Sequence, residues 1–146
     1  MFIYSKVVFF ATIAFLFTAC APGPKFSGLT IPKNDQGDIY LYRKNALFAI
    51  GSKFEVDLDG NKVGNLYNAS YLHLQLPQGK HVLKVSPGAM AQSSTLEIQS
   101  ESAKIALYEY DFVSGPLANP FFIGSSIQPS TQEQAIADMK ELNAAN

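Results

Sequence analysis

The stretch VDLDGNKVGNL, residues 56–66, decides the predicted fold. Its cluster DLDGN, residues 57–61, can belong to a calcium-binding loop or to a tight turn between two β-strands. Asp-Gly between alternating apolar residues is the strongest short hairpin signal, because a type I′ turn needs positive φ at both central positions. The turn interpretation makes Gly60 the hinge and predicts these core positions: Val56, Leu58, Val63 and Leu66.

The calcium interpretation fails on spacing. An EF-hand loop requires Gly at its sixth position and a bidentate Glu at its twelfth. A loop that starts at Asp57 has Lys62 and Asn68 at those positions, and one that starts at Glu55 has Leu66 at the twelfth. The stretch is therefore predicted to be a hairpin.

Apolar and polar residues alternate on both sides of this hairpin, which is typical of half-buried strands. The predicted strands are Ile39–Arg43, Phe54–Leu58, the segment after Asn61, Tyr71–Leu76, His81–Ser86, Ser94–Ser100 and Lys104–Val113. The sequence PQGK, residues 77–80, predicts another turn. Short strands separated by turn signals predict a mainly β domain over residues 38–128, an antiparallel β-sandwich of about seven strands.

The spacing of apolar residues along the sequence changes after residue 129. Ser130 stands three residues before Glu133, the spacing of a capping box, and apolar residues then recur at helical spacing. These features predict a C-terminal helix within residues 129–146 that packs on the sheet. A helix lying on a membrane is the alternative, although the polar face is acidic rather than basic.

The first twenty residues, MFIYSKVVFFATIAFLFTAC, indicate an export signal. Lys6 precedes an apolar run over residues 7–19, shorter than the roughly 20 residues that a membrane-spanning helix needs. The ending FTAC resembles the lipobox of bacterial lipoproteins, with Phe17 where an aliphatic residue is usual. This resemblance implies that residues 1–19 are a cleaved signal peptide and that Cys20 carries diacylglycerol and an N-linked acyl chain such as palmitate. An ordinary cleaved signal and an uncleaved anchor are the alternatives.

Such an anchor would attach the chain durably to a membrane, because each buried CH₂ contributes about 0.8 kcal/mol and three acyl chains act together. Ala21, rather than Asp, follows the cysteine, which resembles export to the outer membrane. The expected location is the inner leaflet of the bacterial outer membrane, facing the periplasm. Residues 20–37 are rich in Pro and Gly and are predicted to be a flexible tether between the anchor and the domain.

The remaining composition argues against several activities. The formal net charge is −1 with no basic block, which is not the pattern of a nucleic-acid-binding protein. His73 and His81 have no acidic or sulfur partner at metal-site spacing and are predicted to be surface residues. Glu109 and Asp111 share a strand face, where paired acids are usually solvated. We therefore expect no catalytic residue, no metal, no cofactor and no enzymatic activity.

The aromatic residues leave two interpretations open. A candidate interaction surface consists of Tyr40, Tyr42, Tyr71, Tyr108 and Tyr110, all on predicted strands. Such residues can instead serve as strand-pairing and core material. If they are exposed, they would suit an envelope ligand such as a glycan or a lipid.

Four short motifs occur together along the strands: Tyr42-Arg43, the hairpin Asp59–Leu66, Asn68–Tyr71 and Pro77–His81. In combination they resemble the bacterial lipoproteins grouped as domain of unknown function 2846, and more widely the PEGA-type surface β-domains. The resemblance covers about residues 38–113. It implies a β-sandwich in the cell envelope and no established reaction. The expected role is a structural or protein-interaction module, with glycan or lipid binding as the alternative.

Overall fold

A computed structural model describes residues 22–114 and 123–145, so Cys20 and the signal peptide lie outside the described residues. The described part contains one α-helix, α1 (Gln132–Met139), and a short 3₁₀ helix at Gly88–Met90. Its strands are β1 (Gln36–Arg43), β2 (Phe54–Leu58), β3 (Asn61–Leu66), β4 (Ser70–Pro77), β5 (Gly79–Ser86), β6 (Ser94–Ser100), β7 (Ile105–Ser114), β8 (Ile123–Pro129) and β9 (Asn143–Ala144).

The strands form two sheets that enclose a common core. The larger sheet has the order β8-β7-β1-β4-β9, and the smaller sheet has the order β3-β2-β5-β6. The prediction of a mainly β sandwich with a C-terminal helix is confirmed. The larger sheet departs from a fully antiparallel arrangement, because β1 pairs with β7, and β4 with β9, in parallel. Parallel neighbours need a long connection, which the strands of the smaller sheet provide between β1 and β7.

The opening stretch is a hairpin, as predicted. Asp59 and Gly60 connect β2 to β3 with φ values of 52° and 79°, so both central residues have positive φ. Val56 and Leu66 are buried and Leu58 is half-buried.

Val63 was predicted to be a core residue, and this prediction is wrong, because Val63 is 37% exposed. The register shifts here: Val56 is opposite Gly64, but Asp57 is opposite Lys62. Val63 is thus the extra residue of a β-bulge, and the alternation predicted from the sequence stops at that point.

The turn at residues 77–80 connects the two sheets and does not form a hairpin. β4 belongs to the larger sheet and β5 to the smaller one, so the two strands do not pair around it. Gly79 has a φ of 141° where the chain crosses between sheets. His73 consequently lies opposite Tyr40 and His81 opposite Ile98, in different sheets.

The larger sheet is covered on both faces. Its inner face packs on the smaller sheet through residues such as Ile39, Leu41 and Leu72. Its outer face packs under α1 and the N-terminal segment and contains Tyr40 and Tyr42. Since successive side chains of a strand point to opposite faces, a strand covered on both sides is apolar throughout, which explains IYLY in β1.

Helix α1 packs on the outer face of the larger sheet, as predicted. Ala135 and Met139 are buried there, whereas Ile136 remains 39% exposed. The N-cap is Thr131, whose hydroxyl accepts a hydrogen bond from the Gln134 backbone N–H. The capping-box spacing predicted Ser130, one residue too early, because Thr131 and Gln134 repeat the same pattern one position later.

Candidate functional site

The five tyrosines of the predicted interaction surface do not share one face. Tyr108 and Tyr110 lie between the two sheets, whereas Tyr40, Tyr42 and Tyr71 lie on the outer face of the larger sheet. Tyr40, Tyr42 and Tyr110 are at most 2% exposed, and the other two are half-buried. The prediction of one exposed aromatic surface is therefore wrong. The sequence shows which side chains share a strand face, but not that both faces of β1 are covered, nor that the aromatic face of β7 points into the core.

Tyr42 connects the sheet to α1. Its hydroxyl donates a hydrogen bond to the Asp138 carboxylate at 3.1 Å and lies 3.0 Å from Ser130 Oγ. Burial raises the pKa of Tyr42 to about 12, so the phenol keeps its proton across the physiological range. Tyr42 therefore acts as a structural donor.

Residues 20–37 were predicted to be a flexible tether, but part of the described N-terminal segment, residues 22–35, is docked on the domain. Lys25 forms a β-bridge with Asn143 of β9, the strand at the edge of the larger sheet. The Phe26 N–H donates to Leu142 O at 3.0 Å, and the Ala144 N–H donates to Pro24 O at 2.8 Å. The Phe26 ring packs edge-on against Tyr71 and Tyr40. The ordered fold thus starts well before Asp38, the predicted boundary.

A second attachment of this segment is a polar clasp formed by Thr30, Asp38, Tyr40 and His73. The Thr30 hydroxyl donates to the Asp38 carboxylate at 2.6 Å, and the Thr30 N–H donates to the Tyr40 hydroxyl at 3.0 Å. His73 Nε2 lies 2.8 Å from the same carboxylate, and its ring stacks on Tyr40 with centroids 4.3 Å apart. Asp38 is fully buried, so these donors replace the water that its carboxylate loses.

The β1–β2 loop presents apolar side chains to solvent. Leu47, Phe48 and Ile50 are 91%, 42% and 60% exposed. The Arg43 guanidinium, buried under this loop, donates to the carbonyls of Phe48 at 3.1 Å and Ala49 at 3.0 Å. It also lies 4.3 Å from the centroid of the Phe54 ring. We call residues 46–50 the apolar loop; its backbone is held in place while its side chains face water.

A polar cleft of about 220 Å³ lies on the outer face of the larger sheet, beside β7 and β8. It is lined by Lys44, Glu109, Asp111, Ser126 and Gln128. Lys44 Nζ lies 2.7 Å from Glu109 Oε1, and this hydrogen bond raises the pKa of Lys44. The paired acids predicted to be solvated thus include one that is held by a lysine. The described cleft contains no histidine or cysteine that could activate Ser126 as a nucleophile.

A family model described as "Protein of unknown function (DUF2846)" matches residues 33–125. The chain belongs to this family. The predicted resemblance is confirmed, whereas a search of curated proteins finds no match.

The motifs that predicted the DUF2846 resemblance contain residues whose side chains form hydrogen bonds with the backbone of turns and loops. Arg43 binds the apolar loop, and the Asn68 side chain accepts from the Ala46 N–H at 3.0 Å. The Ser70 hydroxyl bonds the backbone of Tyr67 on both its N–H and its carbonyl, at 2.8 Å each. Arg43 and Asn68 therefore bind the backbone of the β1–β2 loop, and Ser70 binds the backbone of the turn between β3 and β4. The family model starts after Thr30 and ends before α1. Thr30 of the polar clasp and the helix therefore lie outside the matched residues.

The last motif residue, His81, pairs with Asp59 of the hairpin. His81 Nδ1 lies 2.7 Å from Asp59 Oδ2, and the other carboxylate oxygen accepts from the Val82 N–H at 2.8 Å. The hydrogen bond to Asp59 raises the pKa of His81, and the bond from His81 lowers the pKa of Asp59. Both histidines of this DUF2846 member thus have a carboxylate partner that sequence spacing did not reveal, because the two residues of each pair are 35 and 22 positions apart in the sequence.

Within residues 22–114 and 123–145, no group of three His, Cys, Asp or Glu side chains is arranged to hold a metal ion. In the same part of the chain, no helix has the length and apolar character needed to cross a membrane.

Proposed function

We propose that this chain is a non-catalytic lipoprotein of the bacterial cell envelope, anchored through acylated Cys20, whose β-sandwich is a protein-interaction module. The single observation that carries the interaction role is the apolar loop. Leu47 and Ile50 expose most of their surface on a backbone held by the buried Arg43. A loop that is already ordered loses little conformational entropy when a partner binds, so its apolar contacts contribute more fully to affinity.

The anchor part of the proposal is supported by the sequence FTAC and by Ala21, which favours the inner leaflet of the outer membrane. Cells that express the chain in radiolabelled palmitate are expected to label it. The variant Cys20→Ser should lose the label and leave the membrane fraction. Labelling of that variant, or no labelling of the unaltered chain, would contradict the anchor.

The interaction part can be tested with a photoreactive amino acid placed at Leu47. The matched control is the same group at Val82, another exposed apolar residue (45% exposed) on the smaller sheet. A protein adduct is expected at position 47 but not at 82, and Ile50→Ser should reduce it. Equal adducts at both positions would indicate random encounters and overturn the proposal.

The alternative role, binding a glycan or a lipid through an aromatic strand face, has less support. Three of the five tyrosines are buried, so they offer no face on which a ligand could stack.

A further inference from the structure

The N-terminal segment is held to the domain at two places. Its backbone pairs with residues 142–144 through the Phe26 and Ala144 N–H groups, and Thr30 is bound in the polar clasp. Between Phe26 and Thr30 the side chain of Leu29 packs into the outer core of the larger sheet. The described chain therefore belongs to the fold from about Pro24 onward, and Pro24 is four residues after Cys20 in the sequence.

The reach of the anchor follows from covalent geometry alone. An extended chain spans at most about 3.6 Å per residue, so the four steps from Cys20 to Pro24 cover at most about 14 Å. A flexible tether over residues 20–37 would instead give a root-mean-square separation of about 23 Å and a much larger maximum. An acyl chain on Cys20 would thus keep Pro24 close to the lipid headgroups.

We propose that the bilayer surface is a direct contact of this domain, and that the contacting edge is formed by residues 22–26 together with β9. This inference rests on the proposed acylation of Cys20. The N-terminal segment lies outside β9 and is the last strand-like element at that side of the larger sheet. Pro22 and Pro24 have no N–H, so this outer edge presents fewer unpaired donors to its surroundings.

The close approach of the segment to β9 depends on Gly23. A Cβ added at this position would overlap the Ala144 carbonyl oxygen, a backbone atom that cannot turn aside. The absence of a side chain therefore lets the two backbones pair, and the sequence signal for a flexible tether is in fact a signal for close packing.

This orientation leaves the apolar loop accessible to a partner. The loop follows β1, and β4 and β9 separate β1 from the N-terminal segment. Strands in a sheet are about 4.8 Å apart, so the backbone of β1 lies two spacings, about 10 Å, from β9 and three spacings, about 14 Å, from the N-terminal segment. The membrane contact and the proposed protein contact therefore use different parts of the surface.

The test uses the acylated full-length chain in vesicles of phosphatidylethanolamine and phosphatidylglycerol. Cys20 is the only cysteine and would be blocked by acylation, so an introduced cysteine is the one reactive thiol. A fluorophore is attached in either of two matched variants, Glu141→Cys or Glu97→Cys. Each glutamate is exposed and pairs with one lysine, but Glu141 contacts Lys25 at the proposed edge, whereas Glu97 lies on β6, on the β8 side of the sandwich.

Nitroxide-labelled headgroups are expected to quench the fluorophore at position 141 and to leave the one at position 97 unchanged. Inserting a ten-residue Gly/Ser linker between Pro22 and Gly23 should abolish the difference, because such a linker adds about 18 Å of root-mean-square reach. Equal quenching at both positions of the acylated chain without the insertion would overturn this inference while the acylation stands. Absence of acylation, measured by palmitate labelling, would instead overturn the proposed function.

Discussion

At the residue scale, the hairpin at Asp59-Gly60 imposes a backbone constraint that no side-chain contact shows. Gly60 has a φ of 79° and open space around its Cα, so a larger residue there is opposed by its own backbone rather than by neighbours. Gly51 also has open space around it, but its φ is not in the left-handed region. Substituting each glycine in turn therefore distinguishes the need for a positive φ from the effect of added side-chain volume.

We expect Gly60→Val to lower the free energy of unfolding by about 1–2 kcal/mol, because a β-branched residue is strained at positive φ. Chemical denaturation measures the change, with Gly51→Val as the control that should stay within about 0.5 kcal/mol. Equal losses in the two variants would show that the turn does not need a left-handed backbone.

The Asp59–His81 pair should make stability depend on pH. His81 has a raised pKa in the folded state, so its contribution is complete below its usual pKa of 6.5 and is lost as the pH rises through the folded value. Asp59 has a lowered pKa, so its contribution is present above its usual value of 3.8 and is lost as the pH falls through the folded value. The pair therefore stabilises the fold most between these two usual values.

The variant Asp59→Asn tests this dependence, since Asn tolerates positive φ and can still accept from the Val82 N–H. The stability difference between the unaltered chain and the variant should be largest between about pH 4 and pH 6.5 and should decrease toward pH 9. Thermal unfolding across this range gives the difference. A difference that is constant with pH would show that the ion pair contributes nothing.

At the scale of elements, the β1–β2 loop depends on one buried cation. Arg43 donates through Nη2 to the Phe48 and Ala49 carbonyls near 3 Å and through Nη1 to Ser52 O at 3.5 Å, a set of bonds that uses two nitrogens of the planar guanidinium. We expect Arg43→Lys to keep the charge but to lower the free energy of unfolding by about 2 kcal/mol, the usual effect of losing hydrogen bonds from a charged group. Amide hydrogen exchange should also become faster at Ser52, whose N–H donates to Ala49 O.

The reverse exchange on the exposed end of the same loop, Lys53→Arg, is the control for this prediction. Lys53 is exposed, and we expect its replacement to change stability by less than about 0.5 kcal/mol and to leave exchange at Ser52 unchanged. If Arg43→Lys behaved like this control, the loop would be held by its own turn rather than by the arginine.

The elements differ in how well the sequence predicted them. Strict alternation predicted the Leu72, Leu74 and Leu76 face of β4, because one face of that strand meets the core. β8, with the sequence IGSSIQP, was missed, since two serines interrupt its apolar pattern and Ser125 faces Ser94 through a hydrogen bond of 2.9 Å. β9 has only two residues, too few for any periodic signal, and is held by its neighbours in the sheet.

At the scale of the whole molecule, what covers a face could not be predicted from the pattern along a strand. In β7, Tyr108 and Tyr110 lie between the two sheets, and Leu107 on the opposite face packs in the cluster with α1, whereas Asp111 further along that face is exposed. The clasp was also beyond prediction, because Thr30, Asp38 and His73 come from three separate parts of the chain. The composition of residues 20–37 predicted flexibility, whereas Gly23 and Pro24 take part in a close pairing with the backbone of Ala144.

The final prediction concerns where the folding unit begins. The family match starts at residue 33, so a boundary taken from it would discard Phe26, Leu29 and Thr30. These residues cover the outer core beside Tyr40 and Tyr71, and complete burial of one large apolar side chain contributes about 1.5–3 kcal/mol.

A chain that begins at Ile31 should therefore be less stable by about 2–4 kcal/mol than one that begins at Pro22. Urea unfolding of the two chains measures the difference, and Ile31→Ser, which alters a residue that is 94% exposed, is the control expected to have little effect. Equal stability of the two lengths would mean that the segment is not part of the folding unit, and it would then have the freedom to act as a tether.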